Sequence, residues 1–283
     1  MTAREIAARL GLKRARPTEW RGTCPGCGYP GACVLTEGRG GVPLLWCASC
    51  GDRKAMGAIL RGAGHRAAAT AKRAPAPSCG QREAWARTMW ERGHAAAGTV
   101  VDRYLQSRGL PPATDALRLL AAERHAESGH VGPVMLAAAC DVTGTIRATH
   151  RTWLRPDGAG KASVDPPRKT LGHPLGCAVR LMPAGDAVAL AEGIETALAA
   201  SVLFGMPAWS CLSAGGLAAV RLPETIRTVL IAADHDARGE GERAAEALAR
   251  RLSGEGRAVR IALPDTAGTD FNDVLMQRTK RHD

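Results

Sequence analysis

Between Ala187 and the C-terminus, short apolar runs alternate with stretches of helical period, and that alternation leaves few folds open. VALAEG, AWSCLSA, TVLIAAD and AVRIALP read as strands. IETALAASVLFG, GERAAEALARRLSGEG and DFNDVLMQR read as helices. Strands that alternate with helices are joined by right-handed crossovers and build a mainly parallel sheet. The chain has 283 residues, enough for two or three small domains, so this segment is one part of a multidomain α/β protein. Hydrophobic residues make up 45% and aromatic residues 4%. A core can therefore form, built mostly of Ala, Leu, Val and Ile.

Acidic residues stand where this sheet would open. Glu192 follows the first strand, and Asp234 and Asp236 follow the third. Open α/β sheets bind their ligands just past the carboxyl ends of the strands. Carboxylates converging there repel one another unless a cation neutralises them, and hard oxygen donors suit Mg²⁺ or Mn²⁺. The expectation is a metal-dependent phosphoryl-transfer site; the plainer alternative is a set of solvated strand-end carboxylates. Alternation puts Asp234 and Asp236 on one side of an extended strand, with His235 pointing elsewhere. Asp270, in AGTDFNDVL, is a further candidate metal ligand. Glu195 lies one helical turn beyond Glu192 and is assigned a secondary role as a helix cap. Gly239 opens the next helix, whose N-terminus is an expected anion site.

Near the N-terminus, Cys24-Pro-Gly-Cys27 and Cys47-Ala-Ser-Cys50 enclose the 19 residues 28–46. A glycine follows each pair, which lets the backbone curl so that amides face the sulfurs. Two such knuckles make a closed, structural Cys₄ zinc site. The ribbon it holds is too small to fold on its own core. Cys33 is expected in that core rather than as a ligand, and Trp20 and Trp46 are expected to pack rather than to stack on bases. Nine cysteines with this spacing fit a reducing cytoplasm better than disulfides. The chain shows neither an apolar run of membrane-spanning length nor an apolar signal core, so the expected location is cytoplasmic with no membrane contact.

A formal charge of +11 favours a polyanionic partner, nucleic acid first, although an Arg- and Ala-rich composition also arises from genome bias. The expected organisation is a zinc-ribbon DNA-binding domain (1–62), a flexible linker (63–80), a mixed α+β basic domain (81–186) and the parallel-sheet domain (187–283). Residues 81–125 carry apolar residues at helical spacing. From about residue 131 the pattern turns to short strands, with a hairpin near Gly144 and a Pro/Gly/Lys-rich loop after Leu154. Arg147, His150, Arg151, Lys161, Arg168 and Lys169 are candidate cations for phosphate. Arg147, Thr149 and Arg151 would share one strand face.

The order strand-Glu-Gly, then strand-Asp-x-Asp-x-x-Gly, resembles the Toprim domain shared by bacterial-type DNA primases, type IA and II topoisomerases and some nucleases. The resemblance covers about residues 187–276 and implies a four-stranded parallel sheet flanked by helices. It implies that Glu192 is a general acid/base or metal ligand and that Asp234 and Asp236 bind divalent ions. Toprim primases carry a further Asp-Pro-Asp-like patch. Asp270 fits its first position, and Asn272 stands at the second.

A zinc ribbon, a linker, a basic domain and then Toprim is the domain order of bacterial and phage DNA primases. EIAARLG and G-x-CPGCG resemble primase zinc domains of phages and mobile elements. The resemblance implies primer synthesis on single-stranded DNA from nucleoside triphosphates, by two-metal nucleotidyl transfer. Arg151 and Lys161 match that family's basic hairpin and loop, with Arg147 and Lys169 as nucleotide or template contacts. A Toprim nuclease and a non-catalytic zinc-ribbon replication factor are the alternatives. A topoisomerase needs a nucleophilic tyrosine, and the two tyrosines, Tyr29 and Tyr104, sit in the ribbon and on an apparent helix. The sequence holds no G-x-x-x-x-G-K-[ST], so a helicase would be a separate partner.

Overall fold

The computed structural model describes residues 2–38, 41–64, 77–236 and 239–280. The chain divides into two compact units, Met1–Pro75 and Ala76–Asp283. Most of the expected linker, residues 65–76, lies outside the described residues.

The first unit opens with α1 (Ala3–Arg9), capped reciprocally by the Thr2 hydroxyl and the Glu5 carboxylate. The expected helix over 2–12 stops at Arg9, because Gly11 at φ +65° turns the chain. Four antiparallel strands follow in spatial order β1 (Lys13–Arg16), β2 (Glu19–Gly22), β3 (Cys33–Glu37) and β4 (Pro43–Cys47). Helix α2 (Arg53–Gly62) closes the unit, with the Asp52 carboxylate accepting the Lys54 and Ala55 amides. Ile6, Trp20, Cys33, Leu35 and Met56 fill a small core against Cys24 and Cys47.

The second unit is built on one continuous sheet. Its C-terminal part runs β14 (Ala258–Ala262), β13 (Thr228–Ala232), β11 (Ala187–Ala191), β12 (Ala208–Ser210), all parallel. The sheet then continues through antiparallel β10 (Ala178–Arg180) and β7 (Val131–Cys140) to β6 (Leu117–Arg124) and β5 (His94–Ala95). Strand β8 (Ile146–Trp153) pairs with β7 and with β9 (Arg168–Gly172). Two expectations change here. Residues 117–124 form a strand and not a helix, and part of the loop after Leu154 is strand β9.

Alternation along the strands decides which helices cover which face. Val188, Leu190, Val229 and Ile231 pack with α6 (Ala214–Ala219) and α7 (Glu240–Gly254). Ala189 and Ala191 share the other core with α4 (Val100–Ser107), α5 (Ile194–Phe204) and α8 (Phe271–Thr279). That second core continues without a break to Met135, Ala137, Ala139 and Ala148 of β7 and β8. Opposite it, Val134, Leu136 and Trp153 pack with Met89 of α3 (Cys79–Glu91).

Candidate active site

The four cysteines of the ribbon come together as their spacing requires. Among the described residues they are the one set of three or more His, Cys, Asp or Glu ligand atoms lying within 4.8 Å of one another. Cys27 Sγ and Cys47 Sγ are 3.7 Å apart. Zn–S bonds of about 2.3 Å in a tetrahedron put the sulfurs about 3.8 Å apart, so the set fits zinc. Gly28 and Gly51 take φ +73° and +61°, and backbone amides of Gly26, Ser49 and Cys50 donate to Cys24 and Cys47 Sγ at 3.4 Å. The Cys50 and Ser49 amides lower the Cys47 thiol, favouring its thiolate. Cys33 is fully buried opposite Cys47, and burial pushes its thiol up to about 11. It is a core residue.

In the second unit, β11 and β13 deliver Glu192 and Asp234 to the same edge of the sheet. Burial, then Asp234 and Asp236, push the Glu192 carboxyl up to about 7. Burial and Asp270 push Asp234 up to about 6, against a hydrogen bond from the Thr196 side chain. Burial also raises Asp270. Asp234 Oδ1 is buried with no hydrogen-bond partner among the described residues. Mutually raised carboxylates around an orphaned buried oxygen fit a divalent cation.

Asp236 and Asp270 have structural duties as well. Glu240 and Gly241 N–H donate to Asp236 Oδ1 and Oδ2 at 3.2 and 2.8 Å. The N-terminus of α7, expected as an anion site, is thus occupied by the chain's own carboxylate. Asp270 caps α8 reciprocally with Asp273. His235 does point away from the acids: Nδ1 bonds Pro264 O at 2.9 Å, and its amide donates to Thr269 O at 3.2 Å. This pins the loop that carries Asp270 beside Asp234.

Three cations face the acids across one cavity of about 570 Å³, lined by Arg108, Lys161, Arg168, Glu192, Asp234 and Asp270 among others. Arg108 ends α4, and its carbonyl accepts from Asn272 Nδ2 at 2.7 Å. Lys161 sits in a β-bridge with Leu154 just beyond β8. Its Nζ is 2.8 Å from Glu195 Oε1. Arg168 opens β9 opposite Thr152, on the face that also carries the buried His150. Burial pushes the His150 imidazole down to about 4, so it is neutral at physiological pH.

Residues 187–281 match the Toprim domain family, and residues 80–181 match a domain of unknown function, DUF7146. The chain carries a Toprim domain. No curated protein matches the chain. Among solved structures it is similar to a DNA primase domain from Pseudomonas aeruginosa, at 14% identity over 71% of this chain and 77% of that one, with TM-score 0.45. It is also similar to the primase fragment of the bacteriophage T7 primase-helicase protein, at 16% identity, 93% and 97% coverage and TM-score 0.42. A third is the Aquifex aeolicus primase, zinc-binding and RNA polymerase domains, at 12% identity, 98% and 81% coverage and TM-score 0.43.

Against this Toprim frame the sequence-derived cations separate by sheet face. Lys161 lines the cavity; Arg147, Arg151 and Lys169 do not. Arg147, Thr149 and Arg151 do share a face of β8, but α3 covers it. Arg147 binds Glu83 at 2.9 Å and Asp141 at 2.7 Å, and Thr149 Oγ1 donates to Ala86 O. Arg151 stacks on Trp153 at 5.2 Å, opposite Lys169, which pairs with Glu127. Glu195 is no helix cap: it is buried and paired with Lys161. Arg108, Thr196 and Ser213 at the start of α6 line the cavity and escaped the sequence reading, and Tyr104 was read only as a tyrosine on an apparent helix, not as the partner of Glu195.

Proposed function

We propose that the chain is a DNA primase, a nucleotidyltransferase that joins nucleoside triphosphates into short RNA primers on single-stranded DNA. The observation that carries this is a Toprim acidic edge facing Arg108, Lys161 and Arg168 across one cavity. Hydrolysis of a phosphodiester needs the acids alone. Transfer from a triphosphate also needs cations for its phosphates.

Glu192, Asp234, Asp236 and Asp270 would hold Mg²⁺ or Mn²⁺. Bound there, the metal supplies charge neutralisation at the attacking and leaving oxygens. Arg108, Lys161 and Arg168 would grip the triphosphate and hold its α-phosphorus in line with the primer 3′-hydroxyl. Glu192 would act either as a metal ligand or as the general acid/base that handles that hydroxyl's proton. The Cys₄ ribbon, with structural zinc, would engage the single-stranded template. A separate helicase would expose it.

Tyr104 is 1% exposed and donates its hydroxyl to Glu195. A topoisomerase nucleophile cannot be spent in this way. The test is NTP-dependent synthesis of a short RNA on single-stranded DNA with Mg²⁺. Incorporation that is lost in D234N/D236N supports the proposal. Cleavage of DNA without incorporation would establish a Toprim nuclease instead.

A further inference from the structure

Lys161 lines the cavity and is held there from two sides. Its backbone is fixed by the bridge to Leu154, and the tip of the same hairpin rests on α4, where a Cβ on Gly158 would meet Arg103 Cβ at 2.6 Å. Its ammonium sits 2.8 Å from Glu195 Oε1 on α5. The same Oε1 accepts the Tyr104 hydroxyl from α4. Glu195 and Tyr104 are both buried, at 6% and 1% exposed, whereas the Lys161 side chain keeps 31% of its surface open. Burial alone would raise the Glu195 carboxyl, but the Lys161 charge and hydrogen bond outweigh it and hold it down to about 2. An ammonium has three donors, so a single bond to Glu195 leaves capacity for an anion in the cavity.

We infer that Tyr104 and Glu195 form a positioning pair that aims Lys161 at a polyphosphate in the cavity. Neither residue touches the reacting atoms. The inference rests on the primer-synthesis function proposed above, but its test does not need that activity.

The probe is inorganic tripolyphosphate, bound to the full-length protein without divalent metal and followed by calorimetry. Charge and position predict opposite signs. If Glu195 acted only through its charge, Glu195→Gln would strengthen anion binding by removing a nearby negative charge. As a positioning residue it predicts binding weakened by about tenfold. Tyr104→Phe leaves every charge in place and should weaken binding severalfold. Lys161→Met should lose most, and E195Q/K161M should bind no worse than K161M alone, because Glu195 acts through Lys161. Melting curves and zinc content check that each variant folds. If E195Q does not fold, Y104F against K161M carries the same cycle.

Binding by E195Q or Y104F as tight as wild type, additive losses in the double variant, or no binding by the wild type would overturn the inference. Wild-type tripolyphosphate binding with this pattern but without primer synthesis would leave the inference standing and remove the proposed function.

Discussion

Asp234 holds a buried, unpartnered carboxylate oxygen beside raised acids. An unsatisfied buried polar atom costs about 1–3 kcal/mol. Asp234→Asn removes the charge that Glu192 and Asp270 oppose. The metal-free protein should then melt a few degrees higher at pH 8, while primer synthesis falls about 100-fold or more and Mg²⁺ no longer raises the melting temperature. Thermal melts with and without Mg²⁺, together with the synthesis assay, check this. The pH dependence follows from the same residues. Glu192 and Asp234 are raised to about 7 and about 6, so their contribution to metal-free stability is full below their ordinary values near 4 and is lost as pH rises through 6 to 7. Mg²⁺ should therefore raise the melting temperature by more at pH 8 than at pH 5.5. Glu195 runs the other way: its stabilisation is present above its ordinary value and disappears only as pH falls towards 2.

At the scale of elements, the pairing of β11 with β13 brings the two acidic strand ends close, and the start of α7 packs tightly against both. A Cβ on Gly241 would lie 2.6 Å from Asp234 O and 3.0 Å from Glu192 Oε1. Gly241→Ala must push α7 off the sheet edge or move Glu192. The expected cost is about 1–3 kcal/mol, with loss of the Mg²⁺-dependent rise in melting temperature. A melt unchanged from wild type would place the helix differently. The parallel sheet and its acids were legible because the junctions after β11 and β13 repeat a local pattern, an apolar run and then an acid. The cation set was not legible from local pattern. Alternation correctly grouped Arg147 with Arg151, but the face they occupy belongs to α3, whose seat on β8 depends on distant residues such as Glu83 and Ala86. Strand β6 was misread for a local reason. Leu117 and Leu120 are its buried residues, at helical i, i+3 spacing, and the register shifts between Leu120 and Glu123. Pairing with β7 overrides that period.

At the scale of the whole molecule, the Toprim sheet does not end at β12. That strand pairs with β10, and β10 with β7, so the second unit shares one sheet and one of its cores across residue 187. Asn272, Tyr104 and Lys161 add polar ties across the same boundary. A fragment covering residues 76–283 should melt cooperatively. One covering 187–283 would expose the β12 edge and half a core, and should aggregate or stay unfolded, as circular dichroism and sedimentation would show. In the first unit the Cys₄ set stands in for a large core. Template-dependent RNA synthesis by the full chain is the decisive measurement, with Mg²⁺, nucleoside triphosphates and single-stranded DNA, beside D234N/D236N and K161M. Short RNA products from the wild type, abolished by the double aspartate change and sharply reduced in K161M, are the predicted result. DNA cleavage without nucleotide incorporation, or synthesis that survives D234N/D236N, would contradict it.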